Sequence, residues 1–113
     1  MKYQVIVSPE AESAIIAIVD YIKDEFQSPR TALKKFRRIK KEIAAFKHPP
    51  LPGHRVLDDP WYQLGLCEYV FDHYRLIYIT NSSAQIVYIV TLLHTSQDRN
   101  RQLARLIPAD ESL

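Results

Sequence analysis

Cysteine is almost missing from this sequence: Cys67 is the single one in 113 residues. A disulfide framework is thereby excluded, and no zinc-ligand spacing occurs. The opening "MKYQVIVSPEAES" has one lysine, a very short apolar stretch and then acids, which is not a secretory signal, so the expected compartment is the reducing cytoplasm. Glycine is nearly as scarce, at two residues. No Walker loop or dinucleotide fingerprint appears, and neither a cofactor nor a metal is expected. No apolar run approaches the ~18–20 residues that a bilayer span needs, so no membrane partner is expected.

What remains is the composition of an ordinary globular chain. Hydrophobic residues make up 47% and charged residues 25%, enough for one core without metal or disulfide staples. A single domain over residues 1–113 is expected. The net charge is only +2, but its distribution is uneven. Between Arg30 and Lys47 there are eight Lys or Arg against one acid, Glu42. Compensating acids lie in the segment up to Asp24 and in the tail from Asp110, so the chain is polarised.

"YQVIVSP" alternates, with Tyr3, Val5 and Val7 on one face and Gln4 and Ile6 on the other, and reads as a short strand. Ser8-Pro9-Glu10-Ala11 opens a helix: Ser8 suits the cap, Pro9 the first helical position, and Glu10 and Glu12 the positive end of the helix dipole. Ala11, Ile15, Ile18, Val19, Ile22 and Phe26 give it an apolar stripe. Ser28-Pro29 starts a second helix after a very short gap, which predicts an antiparallel helical hairpin. Ala32, Phe36, Ile39, Ile43 and Phe46 form its buried seam, while Arg30, Lys34, Arg37 and Lys41 form a basic stripe on another face. "HPPLPG" ends it.

From Trp61 the signals are strand-like: "WYQLGLCEYVF", "YRLIYIT" and "QIVYIVTLLH", joined by "DH" and "NSSA" turns. Gly65 marks a bulge or a close backbone approach. "TSQDRNRQLARLI" is compatible with a short last helix capped by Ser96 or Thr95. The expected fold is α+β, with order β-α-α-β-β-β. A helical hairpin packs on one face of a mainly antiparallel four-stranded sheet. The other sheet face is expected to stay open, leaving Trp61, Tyr62 and neighbouring aromatics as a partner surface.

The opening "VIVSPEAESAI", the helix ending "FKHPPLPG", the strand "YRLIY" and the last strand ending "LLHTSQD" resemble, in this order, the RelE/ParE superfamily of toxins from bacterial type II toxin–antitoxin modules. The resemblance covers roughly residues 3 to 98. It implies growth inhibition, a role in plasmid stabilisation and neutralisation by a cognate antitoxin, within a homodimer or a hetero-oligomer. It leaves two targets open, and a non-toxic protein-interaction domain with a degenerate site is the further alternative. ParE-like members inhibit DNA gyrase, whereas RelE-like members cut mRNA on the ribosome without metal.

If the RelE-like branch holds, the resemblance places catalysis at Arg75, His94, Arg55 and Tyr78. Arg75 would steady a phosphate or the charge developing on it, and His94 would move a proton near neutral pH. The structural alternatives are an Arg75 paired with Glu68 or Asp72 and a His94 satisfied at its strand end. By strict alternation His94 shares a face with Ile86, Tyr88, Val90 and Leu92. Thr95, Ser96 and Gln97 stand where many relatives carry an arginine, and the loop with His54 and Arg55 supplies no glutamate base. The moderate charge also fits ribosomal RNA poorly, which favours gyrase as the target. Arg30, Lys34, Arg37, Lys41, Trp61 and Tyr62 are the expected partner- or nucleic-acid-binding residues.

Overall fold

In the computed structural model, which describes residues 2–107, strand β1 (Gln4–Val7) leads into α1 (Pro9–Phe26). Ser8 makes that junction. Its hydroxyl oxygen accepts the Ala11 N–H at 3.0 Å as the helix cap and donates to the Val90 carbonyl at 2.7 Å. Gln27, with φ 48°, closes α1. Ser28 caps α2 (Pro29–Ala44) through the Thr31 N–H. The two helices pack as the antiparallel hairpin that the repeated Ser-Pro signal predicts.

Four further strands follow: β2 (His54–Arg55), β3 (Cys67–Phe71), β4 (Tyr74–Asn81) and β5 (Ile86–His94). The sheet order is β1-β5-β4-β3-β2. β1 runs parallel to β5 and every other pairing is antiparallel. The expected four strands thus become five, because the two residues after Gly53 join the edge. A Cβ on Gly53 would collide with the backbone of Glu68, so close approach demands glycine there.

The main core lies between the hairpin and one sheet face. Ile15, Ile39, Ile43 and Phe46 meet Tyr74, Leu76, Tyr78, Val87, Ile89 and Leu92. Phe36, expected in this seam, is 37% exposed instead.

The opposite face is not open, contrary to the expectation. A second buried cluster joins Val56, Trp61, Leu66, Ile77, Leu93 and Leu103. Its cover is the loop between β2 and β3 together with α3 (Arg99–Leu106). α3 is capped by Asp98 through the Arg101 N–H, not by Thr95 or Ser96.

Residues 61–66 are a coiled turn and not strand. Tyr62 N–H donates to the Asp58 carbonyl and Leu66 N–H to that of Trp61. Gly65 sits at φ +80° with open space around its Cβ position, so backbone conformation and not close approach selects glycine. The coil turns Trp61 inward to 4% exposure, and its indole donates to Asn100 Oδ1 at 3.0 Å. Trp61 therefore cannot present a partner surface, while Tyr62 stays exposed. The acidic tail from Asp110 lies outside the described residues.

One irregularity sets where side chains point. Ile77 pairs with Thr91 but Tyr78 pairs with Ile89, leaving Val90 as an extra residue in β5. Strict alternation fails there. Val87 and Ile89 face the hairpin, and past the bulge so do Leu92 and, by alternation, His94.

The second cluster has a measurable consequence. Trp61→Ala should lower unfolding free energy by about 3–5 kcal/mol and Leu103→Ala by about 2–5 kcal/mol in urea titrations. An open sheet face would make both changes nearly neutral. As the only tryptophan, Trp61 reports the transition by fluorescence in the wild type and Leu103→Ala, and circular dichroism follows Trp61→Ala.

Candidate functional site

Strand alternation puts Glu68 of β3 and Arg75 of β4 on the α3 side of the sheet. Glu68 is 4% exposed, a carboxylate set in an otherwise apolar strand. Arg75 Nη1 donates to its Oε1 at 2.9 Å. From the first turn of α3, Arg99 Nη1 donates to both carboxylate oxygens at 3.0 Å. The same guanidinium reaches Asp58 at 2.6 Å, and Asn100 donates to Asp58 as well. His54 Nε2 stands 3.8 Å from Glu68 Oε2. Burial alone would raise the Glu68 carboxyl, but hydrogen bonds from Arg99 and Arg75 outweigh it and hold it below the usual range. Glu68 therefore stays ionised near neutral pH, with both oxygens occupied. Arg75 spends its charge on this partner, and its Nε is buried without a hydrogen bond.

Arg55 and Tyr62 come together at the β2 edge of the sheet. The guanidinium lies 4.5 Å from the ring centroid and donates to the Tyr62 carbonyl at 2.7 Å. Tyr78 faces the hairpin, inside the main core. Its hydroxyl donates to the Pro52 carbonyl at 2.7 Å. Burial first, then the neighbouring Cys67, pushes its pKa up to about 12. A group so held neither donates nor accepts a proton readily near pH 7. Burial likewise raises the Cys67 thiol, against the pull of Arg55 and Tyr78, so Cys67 is a poor nucleophile.

His94 belongs to a different place. It is exposed at the end of β5, paired in register with Tyr74, whose ring meets it edge-on at 5.8 Å. His73 lies alongside with ring centroids 6.1 Å apart. The Ser96 N–H donates to His94 Nδ1 at 3.1 Å, so in the neutral imidazole the proton sits on Nε2. Beside it opens a cleft of about 860 Å³ between α1 and the ends of β4 and β5, lined by Tyr21, Phe26, Lys35, Tyr74 and Gln97 among others.

The basic stripe is placed as expected: Arg30, Lys34, Arg37 and Lys41 are all exposed on α2. Lys35 and Arg38 turn aside to Asp72, at 3.6 and 3.3 Å. Arg75 and His94, by contrast, are separated by the sheet itself. Arg75 pairs with Leu93, one residue before His94, and the two side chains leave on opposite faces. The Glu68–Arg99–Asp58 cluster escaped sequence reasoning except for Glu68 as a partner of Arg75. Its one linear signal is a lone acid in the apolar run "LGLCEYVF".

A family model described as the ParE toxin of the type II toxin–antitoxin system parDE matches residues 5–99. The chain belongs to the ParE toxin family. Solved structures agree in fold. A chain of the chromosomal ParDE toxin–antitoxin system from P. aeruginosa superposes with a TM-score of 0.68 at 12% identity, covering 82% of this chain and 96% of that one. A chain of the toxin–antitoxin complex RelBE2 from Mycobacterium tuberculosis gives 0.57 at 15% identity, with 86% and 95% covered. No curated protein matches in sequence. As a ParE-family member, this chain is a ParE/RelE-type toxin of a type II system, and among its described residues no helix is long and apolar enough to cross a membrane.

In this ParE-family toxin the Glu68 cluster makes stability depend on pH with a definite sign. A depressed carboxyl stabilises the fold above its unfolded pKa and loses that contribution as pH falls through the folded value. Acid titration should therefore weaken the wild type below the ordinary glutamate range. Glu68→Gln should cost about 3 kcal/mol at pH 7, since Arg75 loses its charge partner and Arg99 keeps only Asp58. It should also flatten the acid limb of stability against pH; an unchanged limb would show that Glu68 does not govern it.

Proposed function

We propose that this toxin acts by binding DNA gyrase and not by cutting mRNA, and that a cognate antitoxin relieves the growth inhibition. The observation that carries the reading is the separation of Arg75 from His94. Metal-free RNA cleavage needs a base, an acid and a cation around one phosphate. Here the cation is committed to Glu68 on one sheet face, the imidazole stands on the other, and the tyrosine is buried. The match to a ParE model supports the same branch. A toxin that works by occupying a protein surface needs shape and exposed groups, not a convergent acid–base set.

Two features favour a peptide-like antitoxin segment as the inhibitor. From Thr91 to Leu93 the outer edge of β5 extends past the last residue paired with β1, up to His94 whose backbone bonds Gln97, offering a short strand-addition site. The cleft beside it is apolar and exposes Tyr21 and Phe26. The neighbouring solved structures include toxin–antitoxin complexes, in keeping with such a partner.

Purified toxin should inhibit gyrase supercoiling, and the adjacent small gene product should abolish that inhibition. It should leave mRNA on stalled ribosomes uncut. His94→Ala should keep supercoiling inhibition within about twofold, since no proton transfer is involved. Ribosome-dependent cleavage that disappears in both Arg75→Ala and His94→Ala would overturn the proposal and place the chain on the nuclease branch.

A further inference from the structure

The outer surface of the helical hairpin is divided by charge. α1 carries Glu12, Asp20 and Asp24 with Lys23 as its single base, and α2 carries Arg30, Lys34, Arg37, Lys40 and Lys41. All are exposed. Although the two helices lie side by side, no ion pair among the described residues joins them. Between the two charged rows runs an apolar strip: Ile16 is 58%, Leu33 47% and Phe36 37% exposed. Ile16 and Phe36 line one groove with Glu12 and Lys40, which fixes how the two rows face each other.

We propose that this surface pairs with a second copy of the chain, forming a two-fold dimer in which α1 of each copy lies on α2 of the other. The reasoning is one of complementarity. A polyanion such as DNA, or an acidic peptide, is attracted by α2 but repelled by the acids of α1 beside it. A partner matching both rows must carry them in exchanged order, and a second hairpin turned over along the groove axis does so. Asp24 then approaches Arg30 of the other copy, Asp20 approaches Lys34, and the apolar strips meet in the middle. A two-fold axis across the helices would set acid on acid and base on base, so charge selects the first arrangement.

Helices of this length, ~25 Å long and 8–10 Å apart, present roughly 500 Å² on each copy. The total is at the low end for specific association, which makes the dimer reversible, with a Kd on the order of 10 µM. The inference stands apart from the choice of target, since neither Arg75 nor His94 takes part.

Sedimentation velocity and light scattering on the full chain test it. At about 100 µM, well above that Kd, wild type should be mainly dimeric in low salt and mainly monomeric once salt has shrunk the Debye length to about 4 Å. Asp20→Lys with Asp24→Lys should weaken association about tenfold or more, and so should Arg30→Glu with Lys34→Glu. An equimolar mixture of the two variants should dimerise again, because the heterodimer restores both acid–base rows. Circular dichroism and thermal melts confirm that each variant is folded; if either charge variant is not, Leu33→Ser, at an exposed position, should abolish the dimer without lowering Tm. A monomeric wild type in low salt, a variant that dimerises alone, or a mixture that does not recover would each overturn the proposal. So would a monomer that retards a DNA duplex through Arg30 and Lys34, which would assign the face to nucleic acid.

Discussion

A single extra residue in β5 determines how this toxin presents its chemistry. Val90 has no counterpart on β4, so the side chains beyond it are out of phase with those before it. Were the pairing of Tyr78 with Ile89 continued without the bulge, His94 would leave the sheet on the same side as Arg75. With the bulge, Leu92 joins the hairpin core and His94 turns toward α1, while Leu93 seals the α3 side above Arg75. Ser8 holds the irregularity in place: its hydroxyl donates to the Val90 carbonyl and its N–H to that of Ile89. The α1 cap and the strand phase are thus the same structural event, since one side chain serves both.

The two sheet faces consequently have different characters. The hairpin face is an apolar core with aromatic packing, Phe46 meeting Tyr78 edge-on at 4.8 Å. The α3 face mixes a small apolar cluster with one buried charge system. Two arginines converge on Glu68, and Asp58 and Asn100 extend the bonding into the covering loop. Burying a carboxylate is costly unless its lone pairs are satisfied, and here three hydrogen bonds from the two arginines do so. The cluster's effect is geometric as well as energetic, because α3 and the β2–β3 loop are both tied to one point of β3. Arg75 and Arg99 are both engaged in holding that cover closed.

Two exposed surfaces stand apart from both cores. The cleft beside His94 and the charged outer face of the hairpin are separate regions, and each exposes apolar groups rimmed by polar ones. Such a distribution suits the binding of a partner, since large exposed apolar groups are costly unless something covers them. The overall charge of +2 conceals this arrangement, because acids and bases are sorted onto different helices instead of being interspersed.

By itself the sequence determined the local elements, through signals that act over a few residues. The Ser-Pro caps, the three-and-four spacing of apolar residues and the "DH" and "NSSA" turns specified both long helices and the β3–β4–β5 meander, because capping, periodicity and turn chemistry are short-range effects. The family resemblance was legible for the same reason, being carried by those linear motifs. Only the tertiary structure decided what lies on the second sheet face. "PWYQLG" has the composition of a strand, yet Asp58 and Pro60 carbonyls coil it and turn Trp61 inward toward Asn100 of α3, 39 residues later. Likewise nothing within β5 announces that Val90 is unpaired: register is a property of two strands, and the side of the sheet to which His94 belongs followed from it.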